Sequence, residues 1–329
     1  MKSIIVTGGA GYVGSVLLRV LLKRGYQVFC VDRLMFGGEA LIDVWNEPNF
    51  TFVKGDVGNQ ALMGELLAGE EIEAVVHLAA IVGDPACKAN PELAEKTNWQ
   101  ASKDLLDACV NHKVRRFIFA STCSNYGKMA DPHGYVDEAS PLAPVSLYAE
   151  LKVRFENYLL KEIPKKDDFC PTSLRFATVY GLSNRMRFDL TVNEFTKEIA
   201  SGRELIVFGE NFWRPYCHVA DFSRAILHIL AAPPPLVAYD VFNVGDTEEN
   251  YTKKMIVEEI LKQLPDGKVK YIRKDEDPRD YRVSFAKINR VLNFKVAKTV
   301  PDGIREVKDI VKSGVISNPE EQRYYNILH

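Results

Sequence analysis

Short apolar runs alternate with stretches of helical periodicity through the first third of the chain. Ile4-Ile5-Val6 reads as a strand. From Val13 to Arg24 the apolar positions Val13, Val16, Leu17, Val20 and Leu21 recur at the spacing of one helix face. Gly25 stands where a helix C-cap belongs, and Val28-Phe29-Cys30-Val31 reads as the next strand. Phe50 to Val53, Ala74-Val75-Val76 and Phe117-Ile118-Phe119 are further strands, with helices expected near 60–68 and 98–111. Strands that are apolar throughout and separated by helices imply parallel pairing with both faces covered. The pattern predicts an α/β fold built on a doubly wound parallel sheet.

Beyond residue 175 the texture changes. Pro233-Pro234-Pro235 marks a rigid loop, and Lys262 to Asp280 is polar, with Pro265, Gly267 and Pro278. Val241-Phe242-Asn243-Val244 reads as one more strand rejoining the sheet. The expected division is therefore a first domain of 1–175, to which 216–246 return, and a smaller discontinuous lobe from 176–215 and 247–329.

Charge narrows the function. The 329 residues carry 42 basic and 44 acidic side chains, a net charge of −2. A nucleic-acid or anionic-membrane binder needs a basic surplus or stripe, so neither partner is expected. No apolar run approaches the ~20 residues of a membrane span. Met1-Lys2-Ser3 leads straight into a strand and glycines rather than a signal peptide, so a cytoplasmic location is expected. The six cysteines form no C-x-x-C pair and the six histidines no H-x-H or H-x-x-x-H, so no metal site is expected.

Thr7-Gly8-Gly9-Ala10-Gly11-Tyr12-Val13-Gly14 places glycines at 8, 11 and 14 between a strand and a helix. There they allow a tight turn and close approach of backbone to a pyrophosphate, while the helix N-terminus supplies N–H donors. Asp32 ends the second strand, 18 residues after Gly14. A carboxylate at that point bonds ribose hydroxyls and repels a 2′-phosphate, which favours NAD over NADP in a Rossmann-type site. Arg33 beside it could tolerate a phosphate. Asp56, in Gly55-Asp56-Val57, either reaches the adenine amino group or caps its loop.

Tyr148 and Lys152 share one helix face at i, i+4. Lys152 and an oxidised nicotinamide would together lower the tyrosine pKa and make it a general base. A chain of this composition yields about one Tyr-x-x-x-Lys by chance. Phe117-Ile118-Phe119-Ala120-Ser121-Thr122 gives the motif its context, because it is a strand ending in hydroxyls 26 residues before Tyr148.

Together with His77-Leu78-Ala79-Ala80, Asn98, Leu174 to Gly181, Arg214 to Asp221 and Pro278-Arg279-Asp280, these features resemble the extended short-chain dehydrogenase/reductase family. Within it they resemble the nucleotide-sugar epimerases and dehydratases. The resemblance implies that Tyr148 is the catalytic base and acid, that Lys152 binds the nicotinamide ribose, and that Thr122 bonds the reacting sugar hydroxyl. It also implies that Leu78, Ala79 and Ala80 line the cofactor trough. Arg214 and Arg279 stand where the family clamps the sugar-nucleotide pyrophosphate, unless they are surface salt-bridge partners. A homodimer joined through helices near 98–111 and 148–161 is the family expectation.

Departures matter as much. The 4,6-dehydratases follow the hydroxyl residue with Asp-Glu as acid and base, whereas Thr122 is followed by Cys123-Ser124. Thr178 replaces the usual asparagine, and Asn193 stands where proline is common. The run from Arg185 through Arg187 to Asn193 is similar to a subgroup that includes nucleotide-heptose 4-dehydrogenases, although the arginine pair is equally compatible with a structural surface feature. The expected activity is NAD-dependent oxidation or reduction at C4 of a nucleotide-diphosphate sugar, as a 4-epimerase or 4-dehydrogenase. Alternatives are a 4-keto-sugar reductase, an atypical dehydratase using Cys123, or a non-catalytic cofactor-sensing regulator.

Overall fold

The computed structural model describes residues 2–129, 131, 134–273 and 279–326, so Pro278 of the motif above lies outside the described residues. The strands are β1 (Ser3–Thr7), β2 (Gln27–Asp32), β3 (Phe50–Lys54), β4 (Ile72–His77), β5 (Arg116–Thr122) and β6 (Cys170–Phe176), then β7 (Thr178–Tyr180), β8 (Leu205–Phe208), β9 (Trp213–His218), β10 (Asp240–Val244), β11 (Asn250–Thr252) and β12 (Val269–Ile272). Among the described residues, seven form one sheet in the order β10-β6-β5-β4-β1-β2-β3, with every neighbouring pair parallel. The doubly wound α/β expectation holds. The order reverses at β1, between β2 and β4, and a crevice opens beyond the strand carboxyl ends at such a point.

The longer helices are α1 (Tyr12–Lys23), α2 (Gln60–Gly69), α3 (Ser102–Asn111), α4 (Leu147–Asn157), α5 (Thr191–Ala200), α6 (Val219–Ala231), α7 (Lys253–Gln263) and α8 (Val300–Lys312). Alternation along the strands sends Ile4, Val6 and Ile118 to one face, against Leu17 and Leu21 of α1 and Ile226 of α6. Ile5, Phe117 and Phe119 point to the other face, against Met63 of α2, Leu105 of α3 and Phe155 of α4. Arg24 caps α1, and Gly25 follows it with φ +78°, a conformation glycine adopts without Cβ strain.

Two local expectations change. The helix near 98–111 is π-helical from Glu95 to Ala101 and becomes α-helical only at Ser102. Pro234 opens one helical turn, Pro234–Val237, instead of extending a rigid loop. A proline fits there because the first helical N–H has no intrahelical partner to lose.

The remaining strands form a three-stranded sheet β11-β9-β7 and a pair β12-β8. Strand β12 falls inside the polar stretch from Lys262 and pairs parallel with β8. Val192 and Phe195 of α5, Ile256 and Ile260 of α7, and Val300 and Ile304 of α8 make that region's core. Among the described residues, no helix is long and apolar enough to cross a membrane.

Candidate active site

At the switch point a cleft open to solvent runs from the β1–α1 turn past β4 and β5 to α4. Its floor is the glycine turn. Gly8 has φ +73°, and a Cβ there would come within 2.7 Å of the Ala79 nitrogen, so the turn and the loop after β4 must meet backbone to backbone. A Cβ on Gly14 would collide with the Gly8 carbonyl oxygen. Gly11 is the N-cap of α1 and offers no side-chain cap, which leaves the first amides of the helix, around Tyr12 and Val13, facing the cleft without an intrahelical acceptor. Asp32 accepts hydrogen bonds from the amides of Ala10 at 3.0 Å and Leu34 at 2.8 Å, and its burial raises its pKa. These features suit a dinucleotide: an anion cradle, a backbone floor and a fixed carboxylate. Arg33 and Asp56 pair with each other at 3.2 Å on the cleft rim, next to Val57.

Leu78, Ala79 and Ala80 form the trough wall. Asn98 holds its far end, accepting from the Ile81 amide at 2.8 Å and donating to the Ile81 carbonyl at 2.9 Å. His77 lies behind the wall between the Thr7 hydroxyl (2.8 Å) and the Ser102 hydroxyl (2.9 Å). Burial, then the nearby Lys152 charge, pulls its pKa down to about 3, so it stays neutral and structural.

Ser121, Thr122, Tyr148 and Lys152 close the opposite end of the cleft. Ser146 caps α4, accepting from the Ala149 amide, and its hydroxyl donates to Asp84 at 2.6 Å. The helix is anchored from behind by Glu156, which receives Arg175 at 2.6 Å and Ser173 at 2.8 Å in a buried network. Removing one partner of such a pair strands a buried charge. Lys152, 3% exposed, donates to the Ala120 carbonyl at 2.8 Å, and its ammonium lies 5.8 Å from the centre of the Tyr148 ring. Burial draws its pKa down to about 7. Thr122 accepts the Ser124 amide at 3.1 Å, which leaves its O–H to donate.

The expected lowering of the Tyr148 pKa is not what the protein alone produces. Burial pushes the phenol up, and Cys87 and Asp84 add to the rise. The partly neutral Lys152 does not offset it.

The substrate candidates divide. Arg185 and Arg187 line the cleft, whereas Cys123, Ser124, Thr178, Asn193, Arg214 and Arg279 are not among its lining residues. Cys123 is 1% exposed and its thiol donates to the Arg175 carbonyl, with its pKa raised by burial. Thr178 lies in β7 beside Tyr216, while its neighbours Ala177 and Val179 reach the cleft. Asn193 is a buried hub that accepts the Gly181 amide at 2.9 Å and donates to the Arg187 carbonyl at 2.9 Å and the Tyr12 hydroxyl at 3.1 Å. Arg214 stacks 5.3 Å from the centre of the Tyr281 ring and donates to the Trp213 carbonyl. Tyr281 also meets Ser124 and feels Arg279, so these three candidates surround one buried ring. Arg279 pairs with Asp84 at 2.5 Å. Phe36 and Asn326 join the cleft without having been expected: Phe36 follows Asp32 and Arg33 in the loop after β2, whereas Asn326 arrives from a distant segment that no local pattern ties to the site.

Comparison with known proteins identifies the family. A dTDP-glucose 4,6-dehydratase of Streptomyces niveus is 30% identical over 92% of this chain and 90% of its own. A UDP-glucuronate 4-epimerase of Thermodesulfobacterium geofontis is 28% identical over 94% and 96%. The crystal structure of a Thermotoga maritima UDP-glucose 4-epimerase with UDP-glucose superposes with a TM-score of 0.84 at 26% identity, covering 95% of this chain and 100% of that one. Residues 4–245 match the model of the NAD dependent epimerase/dehydratase family, and the chain belongs to that family of enzymes.

Proposed function

We propose that the protein uses NAD to oxidise C4 of a nucleotide-diphosphate sugar without eliminating water, giving either the 4-epimer or a 4-keto product. One observation carries the choice. Thr122, Tyr148 and Lys152 share a cleft with the glycine turn, while Cys123, the one titratable member of the pair standing where a dehydratase has its acid and base, is sealed by burial. The buried Cys123 thiol, bonded to a backbone carbonyl, has no path to a sugar hydroxyl.

In this reading Gly8, Gly11, Tyr12, Val13, Gly14, Asp32 and the Leu78–Ala80 trough hold the dinucleotide, with Arg33, Asp56 and Val57 at its adenine end. When bound, NAD supplies the hydride acceptor. Thr122 donates to the C4 oxygen and orients it. Tyr148 takes the C4 hydroxyl proton as its phenolate, a form that the protonated fraction of Lys152 and the positive charge of a bound oxidised nicotinamide together would favour. Lys152 also donates to the ribose while the Ala120 carbonyl fixes its position. Arg214 and Arg279, around Tyr281, face the sugar-nucleotide pyrophosphate, a task suited to a guanidinium fork. The division into 1–175 with 216–246, and 176–215 with 247–329, belongs to this proposal, as do a cytoplasmic location and a homodimer through α3 and α4. A 4-keto-sugar reductase would use the same residues in reverse.

A nucleotide-sugar panel analysed by mass spectrometry tests the reading. The expected products keep every oxygen; a product lighter by one water would remove it.

A further inference from the structure

The mechanism leaves the buried cation Arg185 unused. Arg185 is 7% exposed and lines the cleft, yet its Nε has no hydrogen-bond partner. Its neighbour Arg187 takes both oxygens of Asp189, at 2.9 and 2.7 Å. Asp32 is engaged by two backbone amides. What remains for Arg185 is a 3.5 Å contact to the Tyr325 carbonyl and the face of Phe36, 4.2 Å from its centre. A buried guanidinium so poorly matched is costly unless an anion completes it. Its pKa accordingly falls to about 10, through burial and the Arg187 charge.

The surrounding loop fixes where that anion would lie. Ser183 donates to the Tyr12 carbonyl at 2.6 Å and meets the Ser15 hydroxyl at 2.9 Å, while Tyr12 donates to the Gly181 carbonyl at 2.5 Å. The loop therefore crosses the first turn of α1, and Arg185 lines the same cleft as the uncapped amides of that turn, within electrostatic reach of Tyr12 and Asp32. Residues 324–326 meet the same loop. The Tyr324 carbonyl accepts the Phe188 amide at 2.9 Å, the Asn326 amide donates to Asp189 at 3.2 Å, and Asn326 joins the lining with its Oδ1 also unpartnered.

We infer that Arg185 is a cofactor residue rather than a sugar residue: its guanidinium clamps the diphosphate of the dinucleotide from above, opposite the α1 amides, with residues 324–326 holding it in place. The inference rests on the dinucleotide lying along the glycine turn. Cations and helix N-terminal amides converging on one diphosphate combine charge-assisted hydrogen bonds with the helix dipole.

Calorimetric titration of wild type and Arg185→Gln with ADP-ribose, adenosine and UDP-glucose tests it, with melting temperatures measured without ligand. Arg185→Gln should weaken ADP-ribose at least ~10-fold and leave adenosine and UDP-glucose unchanged. The ligand-free melting temperature should hold or rise, because an uncompensated buried charge is gone. Equal losses for adenosine and ADP-ribose, a loss confined to UDP-glucose, or a lowered ligand-free melting temperature would overturn the assignment. Should Arg185→Gln not fold, Arg185→Lys keeps the charge without the fork. ADP-ribose weakened with adenosine unchanged supports the clamp, and any other pattern overturns it. Wild-type protein that fails to bind ADP-ribose would instead sink the underlying cofactor placement.

Discussion

Replacing Lys152 by methionine should abolish turnover and yet stabilise the ligand-free protein. The lysine is 3% exposed, and burial takes its pKa from 10.5 to about 7. At 1.36 kcal/mol per tenfold, holding this ammonium inside costs on the order of 4 kcal/mol at neutral pH. Methionine fills a similar volume but abandons the Ala120 carbonyl, which returns roughly 1–3 kcal/mol of that gain. The net expectation is a stabilisation of about 2 kcal/mol near pH 7. The pH dependence follows from linkage. Between pH 7 and 10.5 the unfolded chain holds the lysine proton and the folded chain does not, so wild-type stability rises with pH across that window. Below pH 7 both states are protonated and the full burial cost applies. The advantage of the variant should therefore be greatest in mild acid and shrink toward pH 10.5. Urea unfolding from pH 6 to 10 measures it, beside a turnover assay in which activity drops by ~10²-fold or more. A variant less stable than wild type at pH 6, or one with near-normal turnover, would refute the reasoning.

Tyr148→Phe should lower turnover by ~10²-fold or more with little change in nucleotide-sugar affinity, as steady-state kinetics and calorimetry would show. Arg214→Ala should weaken nucleotide-sugar binding by ~30-fold or more while sparing NAD; a loss of NAD affinity instead would misplace this arginine. NAD should bind tighter than NADP, and Asp32→Asn should narrow the gap, since repulsion of the 2′-phosphate is lost. Cys123→Ala should leave the product mass unchanged, and a change there would bring the thiol into the chemistry.

The central sheet was legible because strands buried on both faces are apolar throughout, as in Ile4-Ile5-Val6 and Phe117-Ile118-Phe119, and the helices between them carry a 3.6-residue period. The glycine turn was legible for a stereochemical reason: Gly8 and Gly14 stand where a Cβ has no room. What escaped was long-range. Strand β12 hides in a polar stretch because it pairs at an edge, and two of its four residues, Lys270 and Tyr271, are exposed. Asn326 meets Asp189 across 137 residues, a contact no local pattern encodes. The substrate candidates drawn from motif positions alone fared unevenly. Asn193 serves the loop that carries Arg187 instead of facing the cleft, because its carboxamide satisfies three backbone and side-chain groups at once. Electrostatics were the least legible: the Tyr-x-x-x-Lys spacing implies a cation beside a phenol, but only the depth of burial reveals that both groups resist ionisation.

The most direct test follows the hydrogen at C4. A single turnover with UDP-glucose, or another accepted nucleotide sugar, carrying deuterium at C4 should place the label on NAD at the point of oxidation. It should yield a 4-epimer or a 4-keto sugar with every oxygen retained, and Tyr148→Phe should block the transfer. Label that never leaves the sugar, or a product lighter by one water, would contradict the account.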